Sequence, residues 1–215
     1  MRWHPNALTN RREPYWTRHQ PPTRRCGVYE VLALPTAKVR RYLAVHEAGH
    51  VIAGLATGHT LIRATIGTAY ERPAGINHTI DTWAQWAPPH AWEAYAIRCA
   101  GGERAQDQWL RKRRLWTPER AWATEALACS DREDAAEMGR RFEPHVAITW
   151  GGNGEVPQRW RQVDWSKIQA LTDELLTQRW DDVLAVAAAL DDRGTLTGAD
   201  VQKLLTTYRA LHGKL

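Results

Sequence analysis

The chain has only three cysteines, Cys26, Cys99 and Cys129, with no close pair and no C-x-x-C among them. That excludes a disulfide framework and a cysteine metal site as organising features. No apolar run reaches membrane-spanning length, and the first residues lack the apolar stretch of a signal peptide. The expectation is a cytoplasmic protein that engages no membrane. No G-x-x-x-x-G-K-[ST] is present. The one glycine-rich stretch, Trp150 to Pro157, lacks the lysine a phosphate-binding loop needs, so no ATPase motif is visible. There is no internal repeat.

What is present fits one domain of about the usual size, with a tail. The 215 residues carry a net charge of +5. Part of that excess lies in the first 30 residues, where Arg2, Arg11, Arg12, Arg18, Arg24 and Arg25 face only Glu13 and Glu30. Rich in Arg, Pro and Asn and without a period, residues 1–25 read as a flexible basic N-terminal arm ahead of a domain over 26–215. No recognition helix accompanies the arm, so no nucleic-acid partner is expected. The twelve tryptophans are scattered, which suits packing between helices better than a stacking platform.

The densest chemical signal is His46-Glu47-Ala48-Gly49-His50, an H-E-x-x-H motif. On a helix its histidines lie one turn apart on one face, where two imidazoles can hold one zinc. The glutamate between them can take a proton from a water that the metal activates. Pro35 and Gly58 punctuate a helix over 37–57, and Val39, Leu43, His46, Ala53 and Leu55 are spaced for one buried face.

The remaining expectations are coarse. Residues 26–34 read as a short strand and Leu61 to Gly67 as a β-branched, alternating one. Tyr70 to Asp81 reads as a loop or short hairpin. A helix is expected over 88–110, with a candidate break at Gly101-Gly102. Thr117-Pro118 opens another helix. Ser130 with Glu133 forms a capping-box pattern for a helix to about Arg141. Helices follow over 166–190 and 197–212. The fold class is mostly α with a small β-sheet, α+β.

A catalytic zinc needs a third protein ligand. The extended motif with a third histidine fails, because Ala53 and Ala56 hold the places of its Gly and His. Glu93 and Glu103 are available carboxylates that nothing local singles out. Asp131, at the start of a helix, is the better candidate, a choice that rests largely on the resemblance that follows.

Four segments in order make the chain resemble the peptidase domain of FtsH-type ATP-dependent zinc metalloproteases. They are Val45 to His50 followed by the strand Ala64-Thr65-Ile66; Ala100-Gly101-Gly102-Glu103-Arg104-Ala105, similar to that family's Gly-Gly-Arg-Ala-Ala; Ser130-Asp131-Arg132-Glu133-Asp134-Ala135, similar to its Ser-Asn-Asp segment; and Leu190 to Leu205, similar to its closing helices. The resemblance spans roughly residues 35 to 210 and implies an FtsH-peptidase-like helical domain. It implies His46, His50 and Asp131 as ligands of one Zn2+ per chain, with Glu47 as general base. Where the family has paired glutamates, this chain has Gln106 and Asp107, and Asp107 is the candidate to support a ligand by hydrogen bonding. The strand around Ala64, Thr65, Ile66 and Gly67 is the candidate to hold an extended substrate, its alternative being an ordinary internal strand.

The family's ATPase module and membrane anchor have no counterpart in these residues. The expected activity is therefore ATP-independent endopeptidase cleavage of unfolded or flexible polypeptides, alone, as a homo-oligomer, or fed by a separate unfoldase. Three alternatives stand beside it. One is a regulatory or binding protein that kept the fold and lost catalysis, and another is a protease for a single regulatory partner. The third is a helical structural protein with a chance motif.

Overall fold

The computed structural model describes residues 2–6, 15–23, 27–66, 69–72, 75–78 and 91–212. These form a mostly helical chain with four two-stranded sheets. Among them no helix is long and apolar enough to cross a membrane.

The centre is α2, Thr36–Ala56. The sequence suggests one buried face, yet residues 42–54 are buried on every side. A helix covered all round needs small or apolar residues at every angle, and Ala44, Ala48, Gly49 and Ala53 supply the small ones. One side of α2 meets α3, Trp92–Lys112, and another meets α7, Trp180–Arg193. The α3 helix runs through Gly101-Gly102 without the candidate break. A Cβ on Gly101 would lie 2.5 Å from the carbonyl oxygen of Gly49, and one on Gly49 would lie 2.2 Å from that of Gly101. The two glycines let the helix backbones touch, and helical hydrogen bonding continues through them.

Two apolar cores flank α3. One gathers Tyr42, Val45, Trp109, Trp122, Val183 and Leu190 around α2; the other gathers Trp3, Trp92, Ala96, Ile148, Trp165 and Ile168. Buried tryptophans thus serve packing, as their scatter suggested.

Several elements differ from the sequence reading. Residues 28–32 form a helical turn, α1 (Val28–Leu32), where a strand was expected. The Gly27 N–H donates to Glu30, and Arg120 donates to the carbonyls of Leu32 and Ala33 at its end; these polar anchors outweigh β-branched propensity. Thr117 caps α4, Pro118–Leu127, as expected, its hydroxyl accepting from the Arg120 N–H. The next helix, α5 (Cys129–Arg141), starts from Ala128 with no side-chain cap, so Ser130 lies inside its first turn. The run expected as one helix over 166–190 is two, α6 (Trp165–Gln178) and α7, parted at Arg179. The break lets α6 face α3 while α7 faces α2.

Strand β3, Arg63–Thr65, pairs antiparallel with β8, Thr195–Thr197, which leads into α8, Gly198–His212. The expected hairpin is present as β4 (Ala69–Arg72) and β5 (Gly75–His78). An unanticipated parallel pair, β6 (Val146–Thr149) with β7 (Arg161–Asp164), brackets the glycine-rich loop. All four residues of β6 are buried, so it shows no alternation to read.

Parts of the stretch read as a flexible arm are packed. Strands β1 (His4–Asn6) and β2 (Tyr15–Thr17) pair antiparallel, and Trp3, Asn6 and Thr17 are buried. The Trp122 indole donates to Asn6, and Glu125 accepts from the N–H of Arg18. Partners in α4 thus hold residues whose composition alone promised no order.

Candidate metal centre

The α2–α3 crossing decides where the histidines point. Gly102 lies one residue past the Gly49–Gly101 contact, and a Cβ there would fall 2.5 Å from His46 Cε1 and 2.5 Å from His50 Nε2. The missing side chain is the space the two rings occupy. His46 and His50 are 9% and 8% exposed, with their Nε2 atoms 3.0 Å apart. From α5, a single oxygen, Asp131 Oδ2, reaches within 3.4 Å of His46 Nε2 and 3.5 Å of His50 Nε2. The three residues that sequence reasoning named as ligands are therefore together, and the group can hold a metal ion.

The far side of each ring is engaged. His50 Nδ1 lies 2.8 Å from the carbonyl oxygen of Arg98, a pure acceptor, so that nitrogen carries the proton. His46 Nδ1 lies 3.1 Å from Gln106 Oε1, and the Gln106 amide nitrogen donates 3.2 Å to the Tyr42 carbonyl. That second bond fixes the amide with its oxygen toward His46. When a ring is neutral, its Nε2 lone pair faces Asp131, the arrangement a metal-ligating histidine needs.

Asp107, expected to give such support, is engaged elsewhere. It accepts from Arg104 at 3.1 Å, from Arg111 at 2.9 Å and from the Trp116 indole at 2.8 Å. Its neighbour Gln106 takes the role instead. A signal for this was present, since Gln106 follows Gly102 by four residues and so shares the helix face against the histidines.

Charges in the site oppose one another. Burial would pull His46 down, but Asp131 and Glu47 outweigh it and raise the ring to about 9 in the metal-free chain. Burial would raise Asp131, yet both imidazoles hold it well below the usual carboxylate range. Glu47, 3% exposed, is pushed up by burial against the downward pull of His46 and His50.

The remaining expected site residues lie in β3 and just after it. Ala64 is buried and opposite Leu196, Thr65 lies opposite Thr195, and the Ile66 N–H donates to the Gly194 carbonyl. Among the described strands none pairs with the other side of β3. Gly67 lies outside the described residues.

No model of a known protein family matches this sequence, and no curated protein matches it.

Proposed function

We propose that this chain is a zinc-dependent endopeptidase acting on unfolded or flexible polypeptides without ATP. The observation that carries the reading is the convergence of His46 Nε2, His50 Nε2 and Asp131 Oδ2 beside the buried carboxyl of Glu47. Four-coordinate zinc with nitrogen and oxygen ligands at roughly 2.0–2.2 Å needs them about 3.3–3.6 Å apart. The two sides from Asp131 to the histidines, 3.4 and 3.5 Å, fall in that range, and the side between the histidines is shorter, 3.0 Å. Two imidazoles and one carboxylate form a donor set that zinc accepts in hydrolytic sites, with one position left for water. The resemblance of the four ordered segments to FtsH-type peptidases supports the same reading.

When bound, zinc supplies a Lewis acid that acidifies water and polarises a carbonyl. The residues of the chain do the rest. Glu47 takes the proton of the attacking water and passes it to the leaving amine. In the metal-free chain burial raises its carboxyl above the ordinary value. Gln106 and the Arg98 carbonyl keep the two imidazoles in the tautomer that binds metal. An extended substrate adds along Ala64, Thr65 and Ile66 to the side of β3 that no described strand pairs with, a mode that needs an unfolded segment.

The test uses purified protein loaded with one equivalent of zinc and an unstructured substrate such as casein, without nucleotide. Cleavage is expected, and Glu47→Gln should lose it by at least a hundredfold while retaining zinc. Undiminished cleavage in Glu47→Gln removes the mechanism. A zinc-loaded parent that leaves every unfolded substrate intact turns the reading to the binding protein that has lost catalysis.

A further inference from the structure

Beside the donor cluster lies a second buried charge group to which the proposed chemistry gives no part. Glu103 is 0% exposed and Arg132 is 2% exposed. Arg132 donates to one oxygen of Glu103 through Nε at 2.8 Å and Nη2 at 2.6 Å, while the Gln169 amide donates 2.5 Å to the other. The third arm of the guanidinium, Nη1, donates 2.6 Å to the Trp16 carbonyl of β2. The rings of Trp3, Tyr15 and Trp150 stand 5.7, 5.3 and 5.5 Å from its central carbon.

The place of this pair in the chain matters. Glu103 follows Gly102, the residue under the imidazoles, and Arg132 follows Asp131. Its hydrogen bonds therefore join α3 and α5 one residue away from the histidine seat and from the third donor. Asp131 sits in the first turn of a helix that has no side-chain cap. The depth and rotation of that turn must come from elsewhere. A buried ion pair contributes little net stability compared with apolar packing, but it enforces one geometry because any other leaves a charge unpaired.

We propose that Arg132 is a positioning residue for the metal centre: paired with Glu103 and completed by the Trp16 carbonyl and the Trp3 and Tyr15 rings, it holds Asp131 at its distance from His46 and His50. The start of the chain is thereby part of the site. It contributes a carbonyl and two aromatic faces without which Arg132 has donors and a buried charge left over. The β1–β2 segment is itself held to α4 through Asn6–Trp122 and Glu125 with Arg18 and His19, so the Trp16 carbonyl stays where Nη1 needs it. The role requires arginine, because only its planar fork donates in three directions at once.

This inference rests on the metal reading, and the test separates the two. Zinc affinity is measured by competition with a chromophoric chelator, and the ligand field by the visible spectrum of the cobalt-loaded protein. Full-length Arg132→Lys and Glu103→Gln are compared with the parent, and Asp182→Asn, which weakens the ion pair of the buried Asp182 with the half-exposed Arg209, is the control for general destabilisation. Circular dichroism monitors the fold. Arg132→Lys and Glu103→Gln are expected to bind zinc about tenfold or more weakly, with an altered cobalt spectrum, while the control stays within about twofold of the parent. If the single variants do not fold, the double variant Glu103→Leu with Arg132→Met leaves no stranded charge and decides on the same criteria. Folded variants with parental affinity and spectrum overturn the inference, as does a control weakened to the same extent. A parent that binds neither metal removes the metal reading along with it.

Discussion

Gly102 stands so close under His46 that a Cβ on it would lie 2.5 Å from the Cε1 of the ring, and 2.6 Å from Nε2. The atoms in the way belong to rotatable side chains. Gly102→Ala should therefore push both imidazoles off their convergence while leaving the helices in place. Alanine also favours helix by about 1 kcal/mol over glycine, which offsets part of the contact. The expected result is metal affinity reduced at least tenfold with a thermal midpoint within a few degrees of the parent. Calorimetric titration with zinc and a melting curve on one preparation check both halves.

Gly49→Ala should behave in the opposite way. Its Cβ would meet the Gly101 carbonyl oxygen at 2.2 Å and the Ala105 Cβ at 2.6 Å, and backbone cannot rotate aside. The α2–α3 crossing must open, at a cost of about 3 kcal/mol or more. Urea unfolding should show a large drop in midpoint even in the metal-free protein.

Gln106→Leu keeps volume and removes both hydrogen bonds of the amide, one to His46 Nδ1 and one to the Tyr42 carbonyl. The His46 ring loses the partner that fixes its orientation. Zinc affinity should fall about 10- to 100-fold, the usual effect of such a loss. Asp107→Asn, which touches neither histidine, should change zinc affinity far less.

Asp107 instead contributes to acid stability. Burial pushes its carboxyl up, but Arg104, Arg111 and Trp116 outweigh that and hold it below the ordinary value. A folded pKa below the unfolded value gives stability that is complete above about pH 4 and is lost as pH falls through the folded pKa. Unfolding midpoints between pH 7 and pH 2.5 should therefore decline less steeply on the acid side in Asp107→Asn than in the parent. At neutral pH the variant should be about 2–3 kcal/mol less stable.

Legibility in the sequence followed the range of the interactions. The motif helix is readable because its signals are local: Pro35 before it, Gly58 after it, and two histidines four apart. Asp131 was reachable through the order of resembling segments, although the cap that seemed to define its helix, Ser130, is not one. The choice between Gln106 and Asp107 was harder. Adjacent helical residues point about 100° apart, and the four-residue step from Gly102 selects Gln106 only once the Gly49–Gly101 contact has placed Gly102 against the histidines. The Glu103–Arg132 pair joins residues 29 apart with no shared periodicity. The burial of Trp3 and Asn6 likewise depends on α4 and α5 and leaves no trace in an Arg-, Pro- and Asn-rich stretch.

The backbone contact between Gly49 and Gly101 sets the size of the portable unit. Transplanting His46 to His50 onto a foreign helix would carry the donors without the seat that aims them. A graft would have to bring Gly101, Gly102 and Gln106 on a second helix at the same crossing. For anyone designing such a centre, the module is three helices, because α5 must still bring Asp131, and its tolerance is set by Gly49, Gly101 and Gly102, where no side chain fits.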